Sequence, residues 1–336
     1  MSKIINLNKT NLLLIVLVNY RTPSLTIDCL RSLQAEVQAL SEVSVVVVDN
    51  ASGDDSVNKI QTAIQTEGWD KWASIIDSEY NGGFAFGNNL AIRLALKSHS
   101  PPSYVLLLNP DTIVRPNAIK ILVDFMNRNS QVGIAGSRLE NLDGTPQRSA
   151  FRFPTLLSEL DSGLRLGVFS KLLSKWIVAP PVSEEICSTD WVAGASMIVR
   201  REVFEQVGLM DESYFMYSEE TDFCLQAKKA GWSCWYVPQS RVVHLVGQSS
   251  GVNNTKHQPK RLPQYLFDSR RRYFIKNYGR LYAASADHIW ASSYLLWEFR
   301  RILQRKPYND PPKLLFDFLR NSYFFKGGKL DPPKTF

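Results

Sequence analysis

Apolar runs alternate with helix-like segments over the first hundred residues of the chain. Residues 12–18 and 43–48 are continuous apolar runs, typical of strands covered on both faces of a parallel sheet, and residues 25–40 between them have helical spacing. The alternation continues through a weaker run, a helical stretch and a fourth apolar run: 73–76, 88–97 and 104–108. The pattern predicts an α/β fold with a Rossmann-like, mostly parallel sheet flanked by helices, whose ligands bind at the carboxyl ends of the strands.

The middle of the chain has a different pattern. Leucines at three- and four-residue intervals, with Lys and Arg among them, predict an amphipathic helical insertion over residues 156–177. Residues 191–199 are typical of a strand. Residues 218–230 are typical of a helix that Ser218 is placed to cap.

Charge divides the chain into two parts. The 336 residues carry 39 Lys and Arg against 32 Asp and Glu, and 44% are hydrophobic, which excludes a disordered chain and a small disulfide scaffold. From residue 256 onward there are 17 basic against 6 acidic residues, whereas residues 1–255 have 22 against 26. The body is therefore slightly acidic, and residues 256–336 form a basic, aromatic extension that we expect to be helical.

The basic extension leaves three interpretations open. Basic and aromatic side chains together suit an anionic membrane surface, or a nucleic acid, or simply the solvated face of helices packed on the body. The longest aliphatic run, residues 12–18, is far shorter than the ~20 residues of a membrane-spanning helix, so we expect none. Four cysteines without a CxxC spacing favour a reducing compartment, and we expect a cytoplasmic protein, peripheral on the inner face of the membrane if the extension binds lipid.

Polar residues follow the predicted strands where a ligand would bind. Asn19-Tyr20-Arg21 comes after the first strand and Asp49-Asn50 after the second, which suits a base, a ribose and a phosphate; these are also ordinary turn residues. Residues 81–89 form a glycine-rich loop before a helix, but it is neither GxGxxG nor a P-loop. Asp111 follows the fourth strand, where it could hold a divalent cation or cap the next helix.

Five segments together resemble a known family. Residues 18–20, 48–52, 81–89, 108–111 and 215–224 occur in the order seen in family 2 glycosyltransferases of the GT-A fold, and most resemble the rhamnosyltransferase-like branch. The resemblance covers about residues 10–280. It implies a GT-A catalytic domain over 1–255, with a nucleotide-binding half at about 10–115 and an acceptor and catalytic half at about 116–255, followed by the extension 256–336.

The resemblance also implies roles for individual residues. Asn109 stands where the family often has the first aspartate of its metal motif, and Asp111 matches the last. Asp111 and His244 would hold Mg²⁺ or Mn²⁺. Trp191 and Gly194 match the sugar and acceptor segment, although Trp191 equally suits a buried strand. The positions implied for the nucleotide sugar are Asn19, Tyr20, Arg21, Asp49, Asn50, Asn81, Gly83, Phe84, Asn89, Asn109 and Asp111.

An acidic cluster matches the segment that supplies the family's catalytic base. Glu220 aligns with the base, and Glu219 and Asp222 are alternatives. Acidic residues in a first helical turn also complement the helix dipole, but crowding them raises their pKa values, as a base near neutral pH requires.

The resemblance implies a function of a definite kind. We expect an inverting glycosyltransferase that moves a sugar from a nucleoside-diphosphate donor, dTDP-L-rhamnose in first place with UDP- and GDP-sugars as rivals. The acceptor would be a hydroxyl of a cell-surface glycan or a lipid-linked oligosaccharide, and we expect no nucleic-acid partner. The alternatives are a degenerate glycosyltransferase that binds a nucleotide sugar without turnover, and a nucleotidyltransferase, which normally has a glycine-rich, lysine-containing loop where this chain has residues 19–23.

Overall fold

The computed structural model of the protein describes residues 12–40, 42–245 and 260–330. Parts of the predicted body (residues 1–11, 41 and 246–255) and of the predicted extension (256–259 and 331–336) lie outside the described residues. The strands are β1 (Leu13–Asn19), β2 (Val43–Asp49), β3 (Ala73–Asp77), β4 (Tyr104–Leu108), β5 (Thr112–Val114), β6 (Val132–Glu140), β7 (Ala150–Phe151), β8 (Cys187–Thr189), β9 (Trp191–Val192), β10 (Ser196–Arg200) and β11 (Ser233–His244).

Helices connect and cover these strands. They are α1 (Pro23–Leu40), α2 (Ser56–Thr66), α3 (Gly83–Leu96), α4 (Ala118–Arg128), α5 (Leu156–Leu164), α6 (Gly167–Leu172), α7 (Arg201–Val207), α8 (Glu219–Lys229), α9 (Gln264–Tyr278), α10 (Arg280–Leu303), α11 (Leu314–Asn321) and α12 (Tyr323–Lys326). No helix among the described residues is long and apolar enough to cross a membrane.

The central sheet has the order β3-β2-β1-β4-β10-β6-β11-β5, with β8 paired to β11. Strand β1 runs parallel to both β2 and β4, and β2 runs parallel to β3. Strand β10 is reversed, because it pairs antiparallel with both β4 and β6. A short ribbon of β7 and β9 forms a second, antiparallel sheet. The predicted α/β fold with a mostly parallel sheet is confirmed.

Alternate residues of the central strands enter two different hydrophobic clusters. Leu13, Ile15 and Leu17 of β1 belong to one cluster, and Leu14 and Val16 belong to the other. Successive side chains of a strand point to opposite faces, so a strand covered on both faces must be apolar at every position. This is why these strands can be recognised in the sequence as unbroken apolar runs.

The helices of the extension contribute to the core beside the sheet. Tyr273 and Phe274 of α9 and Ala286 of α10 are buried in the same cluster as Leu14 and Val16. A separate small cluster joins α9, α10 and α11 around Tyr294 and Phe318. Residues 273–286 are therefore packed against the body and are not a detached tail.

Three predicted elements differ in their bounds. The helix predicted from residue 88 begins at Gly83, so most of the glycine-rich segment is helical. The insertion forms two short helices, because Arg165 adopts a left-handed conformation (φ 50°) that ends α5. The strand predicted over 191–199 is interrupted at residues 193–195, between β9 and β10.

Candidate active site

The ends of β1 and β2 share one buried hydrogen-bond network. The Asn19 side-chain amide donates to Asp49 Oδ2 at 2.6 Å, and Asn19 Oδ1 accepts from the Thr26 hydroxyl at 2.8 Å. Asp49 also accepts from the Ser52 backbone N–H at 2.9 Å and from the Ser52 hydroxyl at 2.7 Å. The network fixes the strand ends, so Asn19 and Asp49 shape the edge where the parallel strands finish.

Arg21 is held at this edge by the loop after β2. Its backbone is in the left-handed region (φ 57°), its N–H donates to the Ser52 hydroxyl, and its Nε donates to the Ser52 carbonyl, both at 2.8 Å. The guanidinium carbon lies 5.1 Å from the centre of the Tyr20 ring. Ser52 thus positions Arg21 and Tyr20 at the rim.

Asn50 and Asn81 join the second strand end to the start of α3. The Asn50 amide donates to Asn81 Oδ1 at 2.9 Å and to the Gly83 carbonyl at 3.0 Å, while Asn50 Oδ1 is buried without a hydrogen-bond partner. Gly83 has a φ of +87°, and a Cβ added there would lie 1.8 Å from the Phe215 carbonyl oxygen. Phe84 N–H donates to that same oxygen at 3.0 Å, so only glycine permits this junction.

Helix α3 faces the segment before α8. The Asn89 amide donates to the Met210 carbonyl and to Glu212 Oε1, both at 2.8 Å, and its Oδ1 is buried without a partner. The Phe84 ring approaches Gly194 so closely that an added Cβ would lie 3.0 Å from it. Asn89 therefore joins α3 to the residues before the acidic cluster, and Phe84 lies against Gly194.

Asp111 and His244 lie together at the end of β4. Asp111 is 2% exposed, and its Oδ1 lies 3.4 Å from His244 Nε2 with no hydrogen-bond partner. Asn109 brings its side-chain nitrogen within 3.3 Å of the same His244 nitrogen. Strand β11 supplies His244 because it pairs with β5, where His244 is opposite Thr112. A buried carboxylate oxygen without a partner beside an imidazole nitrogen fits a divalent cation that takes its other ligands from a diphosphate and water.

No group of three or more His, Cys, Asp or Glu side chains placed to hold a metal ion occurs in the described ranges. If a divalent cation binds at this edge, Asp111 and His244 are the side chains beside it, and a diphosphate and water would supply the other ligands.

The first turn of α8 carries two carboxylates without complete hydrogen bonding. Glu219 is buried and Glu220 half-buried, and each has an Oε2 that is shielded from solvent and has no hydrogen-bond partner. Burial and the neighbouring Glu220 charge raise the pKa of Glu219 well above its ordinary value. Burial also raises the pKa of Glu220, while hydrogen bonds from its own backbone and from that of Gly194 oppose the rise.

Two unusual backbone conformations precede this turn. Tyr217 (φ 67°) and Ser218 (φ 70°) are both left-handed, and Ser218 occupies the N-cap position without a side-chain capping bond. Non-glycine residues in this region cost of order 1–3 kcal/mol each and persist only where the surrounding structure holds them. The strained pair therefore sets the direction in which Glu219 and Glu220 project.

Asp222 has a different environment from its two neighbours. Its Oδ2 accepts from Lys276 Nζ and its Oδ1 from the Asn277 amide, both at 2.6 Å. Lys276 also contacts Asp211 at 2.8 Å. Both Asp222 oxygens are thus paired with α9, so this carboxylate joins two helices.

Trp191 lies on the β7–β9 ribbon. Its ring stacks on Phe151 with centroids 4.2 Å apart, and its indole N–H donates to the Arg152 carbonyl at 3.0 Å. One ring face is therefore covered by protein, and the side chain as a whole is half-buried.

Neighbouring backbone connects the cation position to the carboxylates. Asn109 N–H donates to the Ala195 carbonyl at 3.1 Å, and Ala195 follows Gly194. A Cβ on Gly194 would lie 3.9 Å from Glu220 Oε1. The reversed strand β10 starts at this point, so it brings the segment beside Glu220 against the end of β4. The arrangement brings the Asp111–His244 pair and the Glu219–Glu220 pair to one edge of the sheet.

Sequence reasoning missed three contributors to the site. Ser52 lies inside a recognised segment, but nothing in the pattern shows that it orients Arg21. The Phe215 carbonyl acts through the backbone and leaves no sequence signal. Lys276 lies 54 residues after Asp222 in the chain, and its basic surroundings suggested a surface position.

Comparison with known proteins bears on the family of the chain. The family model described as "Glycosyltransferase like family 2" matches residues 10–272. The hexosyltransferase Agl10 of low-salt glycan biosynthesis from Haloferax volcanii is 27% identical over 82% of this chain and 78% of its own length. The N-acetylglucosaminyl-diphospho-decaprenol L-rhamnosyltransferase of Mycobacterium tuberculosis is 30% identical over 64% of this chain and 70% of its own.

A solved structure extends the likeness to three dimensions. The mannosyltransferase PcManGT from Pyrobaculum calidifontis, in complex with GDP-Man and Mn²⁺, has a TM-score of 0.50 and 14% identity, covering 94% of this chain and 71% of its own. At that identity the likeness concerns the fold, which is the GT-A fold expected from the sequence. Family match, named relatives and fold agree, so the chain belongs to glycosyltransferase family 2 and is a glycosyltransferase.

Proposed function

We propose that the protein transfers a sugar with inversion, using Glu220 as the base. The observation that carries the proposal is the adjacent pair of buried Glu219 and half-buried Glu220, each with a shielded oxygen that has no hydrogen-bond partner, with Glu220 beside Gly194. Asp222 is the weakest candidate of the three because both of its oxygens are already paired. Glu219 is the more buried of the other two, which favours the partly accessible Glu220 for contact with an acceptor.

In the proposed reaction the acceptor hydroxyl oxygen attacks the anomeric carbon of the donor. The bond from that carbon to the diphosphate oxygen breaks, and the hydroxyl proton passes to a carboxylate oxygen of Glu220. A raised pKa makes Glu220 a stronger base than an ordinary carboxylate, while its partial burial keeps water away from the proton transfer. Attack opposite the departing group inverts the anomeric configuration.

The donor diphosphate would lie between the two strand-end networks. Asp111 Oδ1 and His244 Nε2, 3.4 Å apart, would hold Mg²⁺ or Mn²⁺, and the Mn²⁺ in the PcManGT complex supports this part of the proposal. When bound, such an ion neutralises negative charge that grows on the departing diphosphate. Asn19, Asp49 and Asn50 form the wall for the base and ribose, and the Arg21 guanidinium lies at the rim within reach of an anion.

The proposed donor is dTDP-L-rhamnose. The support is the L-rhamnosyltransferase relative at 30% identity together with the motif order in the sequence. UDP- and GDP-sugars are the rival donors, and PcManGT was solved with GDP-Man. The same relative is named for a lipid-diphosphate acceptor, which supports a glycan or lipid-linked acceptor here.

We also propose that the extension binds an anionic membrane surface. The C-terminal half of α10 exposes a stripe of large apolar side chains along one face: Leu295, Leu296, Phe299, Ile302 and Leu303. Helix α6 also exposes Val168 and Leu172. It starts close to α10, since the carbonyl of Arg165, just before α6, accepts a hydrogen bond from Arg300 at 3.1 Å. Residues 167–176 and 295–306 hold six Lys and Arg against one Glu, which favours anionic lipid over a second copy of the same basic surface.

The experiment for the catalytic proposal separates binding from transfer. Glu220→Gln keeps the shape of the side chain but cannot accept the proton, so we expect transfer to fall by at least about 100-fold while donor binding stays within about twofold. Glu219→Gln is the matched control and should keep most of the activity. Thermal-shift screening of nucleotide sugars with and without Mn²⁺ identifies the donor, because a ligand of the folded state raises the Tm.

The outcomes distinguish the alternatives. Turnover retained in Glu220→Gln and lost in Glu219→Gln would move the base to Glu219. Donor binding without turnover in the unaltered protein, over a panel of acceptors, would indicate the degenerate, non-catalytic alternative.

A further inference from the structure

A cavity of about 210 Å³ lies between β7, β8, β11 and the segment before β8. The side chains that matter for its chemistry are Arg148, Arg152, Ser183, Ser188, Thr189 and Tyr236. None of the residues assigned to the nucleotide, the cation or the base lines it.

Its position in the sheet places it on the side away from the nucleotide. Tyr236 on β11 pairs with Gly136 on β6, which in turn pairs with Met197 on β10. Met197 follows Gly194 by three residues, so the cavity lies two strands beyond the segment beside Glu220. The nucleotide networks lie in the opposite direction, at the ends of β1 and β2. An acceptor that approached Glu220 over β6 and β11 would meet the cavity before it reached the carboxylate.

The chain that forms one wall of the cavity also touches the site directly. The Ser149 carbonyl accepts from Ala193 N–H at 2.9 Å, and Ala193 precedes Gly194. The Gln147 side-chain amide donates to the His244 carbonyl at 2.9 Å. Arg148 lies between these two anchored residues, so its backbone is fixed relative to both the cation position and Glu220.

The cavity is lined by hydrogen-bond donors. Arg148 is exposed and has no ion-pair or hydrogen-bond partner in the part of the chain that the structure describes. Tyr236 is 1% exposed, and its hydroxyl has no hydrogen-bond partner there. Burial raises the pKa of Tyr236 to about 12, so this hydroxyl stays protonated and can donate.

Arg152 anchors the other side of the cavity. Its Nη1 donates to the carbonyls of Ser174 at 2.6 Å and Ile177 at 3.3 Å, which leaves other guanidinium N–H groups available. No Asp or Glu of the described ranges lines the cavity, and Glu184, next to the lining residue Ser183, is paired with Arg138 at 2.7 Å. Two guanidinium groups and a buried hydroxyl without a carboxylate among them complement an anion far better than a neutral sugar.

We infer that this cavity binds an anionic group of the acceptor, a phosphoryl or a carboxylate group, and so holds the acceptor while its hydroxyl faces Glu220. The inference rests on the proposed function, because it takes Glu220 as the base and assumes that the acceptor lies on the cavity side of Glu220. Arg148 would make the principal ion pair, and Tyr236 would donate the buried hydrogen bond.

Three hexose derivatives of similar size test the inference on the full chain. Glucose 1-phosphate, glucuronate and glucose are titrated by ligand-observed NMR, with the nucleotide site first saturated by the nucleoside diphosphate that raises the Tm most. We expect one of the two anions to bind and glucose not to bind. Preference for glucose 1-phosphate would indicate an acceptor that carries a phosphoryl group, and preference for glucuronate one that carries a carboxylate.

Substitutions test whether the anion binds in this cavity. Arg148→Ala and Tyr236→Phe should each weaken the preferred anion by about tenfold or more, and Arg148→Lys should recover only part, because an ammonium cannot form the bidentate pair. Arg128→Ala, at an exposed arginine on α4, is the matched control for lost charge and should leave anion binding unchanged. Melting curves identify any variant that fails to fold, and Tyr236→Phe then remains as the independent test.

Three results overturn the inference: no binding of either anion by the unaltered protein, equal binding of glucose, or unchanged anion binding in both Arg148→Ala and Tyr236→Phe. Failure of the proposed function has a different signature. In that case no nucleoside diphosphate shifts the Tm, or transfer survives in Glu220→Gln, whatever happens in the cavity.

Discussion

Glu219 and Glu220 are adjacent in sequence, yet the helix start gives them unequal surroundings. Glu219 points into the protein and is 3% exposed, whereas Glu220 is half-buried beside Gly194. Their carboxylates repel each other, and burial penalises the charge of both. A base of raised pKa therefore comes at a cost in stability, which the rest of the fold offsets.

Glu219→Gln should stabilise the protein at neutral pH. The folded pKa of Glu219 lies above its unfolded value near 4.5, so the native state is favoured when Glu219 is protonated and loses that advantage as pH rises through the folded pKa. Removing the charge should raise the Tm at pH 7.5 by about 2–4 °C, roughly 1 kcal/mol, with the difference vanishing below pH 4.5. Exposed Glu79→Gln is the control, and an equal gain there would show that only net charge matters.

Gly83→Ala should disconnect α3 from the segment before α8. The φ of +87° and the Phe215 oxygen 1.8 Å from an added Cβ leave no room for a side chain, so we expect a loss of more than about 2 kcal/mol and weaker donor binding. Gly68→Ala has the same kind of backbone (φ +69°) with nothing within 4 Å, so it isolates the cost of conformation alone. Equal losses in urea unfolding of the two variants would argue against the clash.

Individual residues were predictable from sequence where they stand at strand ends. Asp49 and Asp111 follow apolar runs, and the parallel topology brings such positions to one edge. The different surroundings of Glu219, Glu220 and Asp222 were not predictable, because Asp222 is paired with Lys276 from a helix far along the chain. The sequence shows which residues are charged, but it does not show which residues they pair with.

At the scale of elements, α8 and α9 are joined by charge. Asp222 and Asp211 on one side meet Lys276 and Arg272 on the other. Burial by itself would raise the pKa of Asp211, but the hydrogen bonds and charges of its partners, Lys276 above all, outweigh burial and lower the pKa to about 2. The ion pairs hold α8 from the side opposite to Glu220. Helix α9 therefore acts as a support for the acidic turn.

Asp222→Asn should separate this support from the chemistry. Lys276 would lose one carboxylate but keep Asp211, so we expect the Tm to fall by several degrees while kcat per folded molecule stays within about threefold. Lys276→Met should destabilise more, because it leaves buried Asp222 without its cation. A loss of kcat in Asp222→Asn as large as in Glu220→Gln, with an unchanged Tm, would instead assign Asp222 to the reaction.

Element boundaries differed from expectation where backbone conformation overrides the residue pattern. The glycines of 82–87 were expected as a loop, but one left-handed glycine suffices to turn the chain and the remainder continues as helix. The strand over 191–199 is interrupted at 193–195, where Gly194 lies against the Phe84 ring. Such close approaches are tertiary contacts, and a one-dimensional pattern does not contain them.

At the scale of the whole molecule, the parallel strands in the middle of the sheet explain why apolar runs alone predict the α/β architecture. Central strands buried on both faces leave an unmistakable sequence pattern, whereas the reversed direction of β10 is set by its pairing with β4 and β6. The extension was predicted to be helical and basic, but the burial of Tyr273 and Phe274 in the main core was not visible in its charge.

Vesicle binding by the full chain tests the membrane proposal. We expect co-sedimentation with phosphatidylglycerol-containing vesicles, weaker binding at high salt, and little binding to pure phosphatidylcholine. Replacing Phe299 and Ile302 together by Glu should abolish it, because both are more than 60% exposed in the apolar stripe. Leu94→Glu, 49% exposed on α3, is the control.

Two other results would contradict the membrane proposal. Equal binding to neutral vesicles would remove the role of the basic residues. A concentration-dependent dimer in solution that the Phe299 and Ile302 substitutions dissociate would assign the stripe to a second copy of the chain.

The direct connection of α9 to α10 at Gly279 has a consequence for which acceptors can react. Helix α9 is tied to α8 by Lys276, and α10 continues from it into the exposed stripe, so packed helices and not a flexible linker join the stripe to Glu220. If the stripe rests on a membrane, Glu220 stands at a fixed height above the lipid. Acceptors would then be selected by the number of sugars between their lipid and the reacting hydroxyl, and shorter or longer ones would fail to reach.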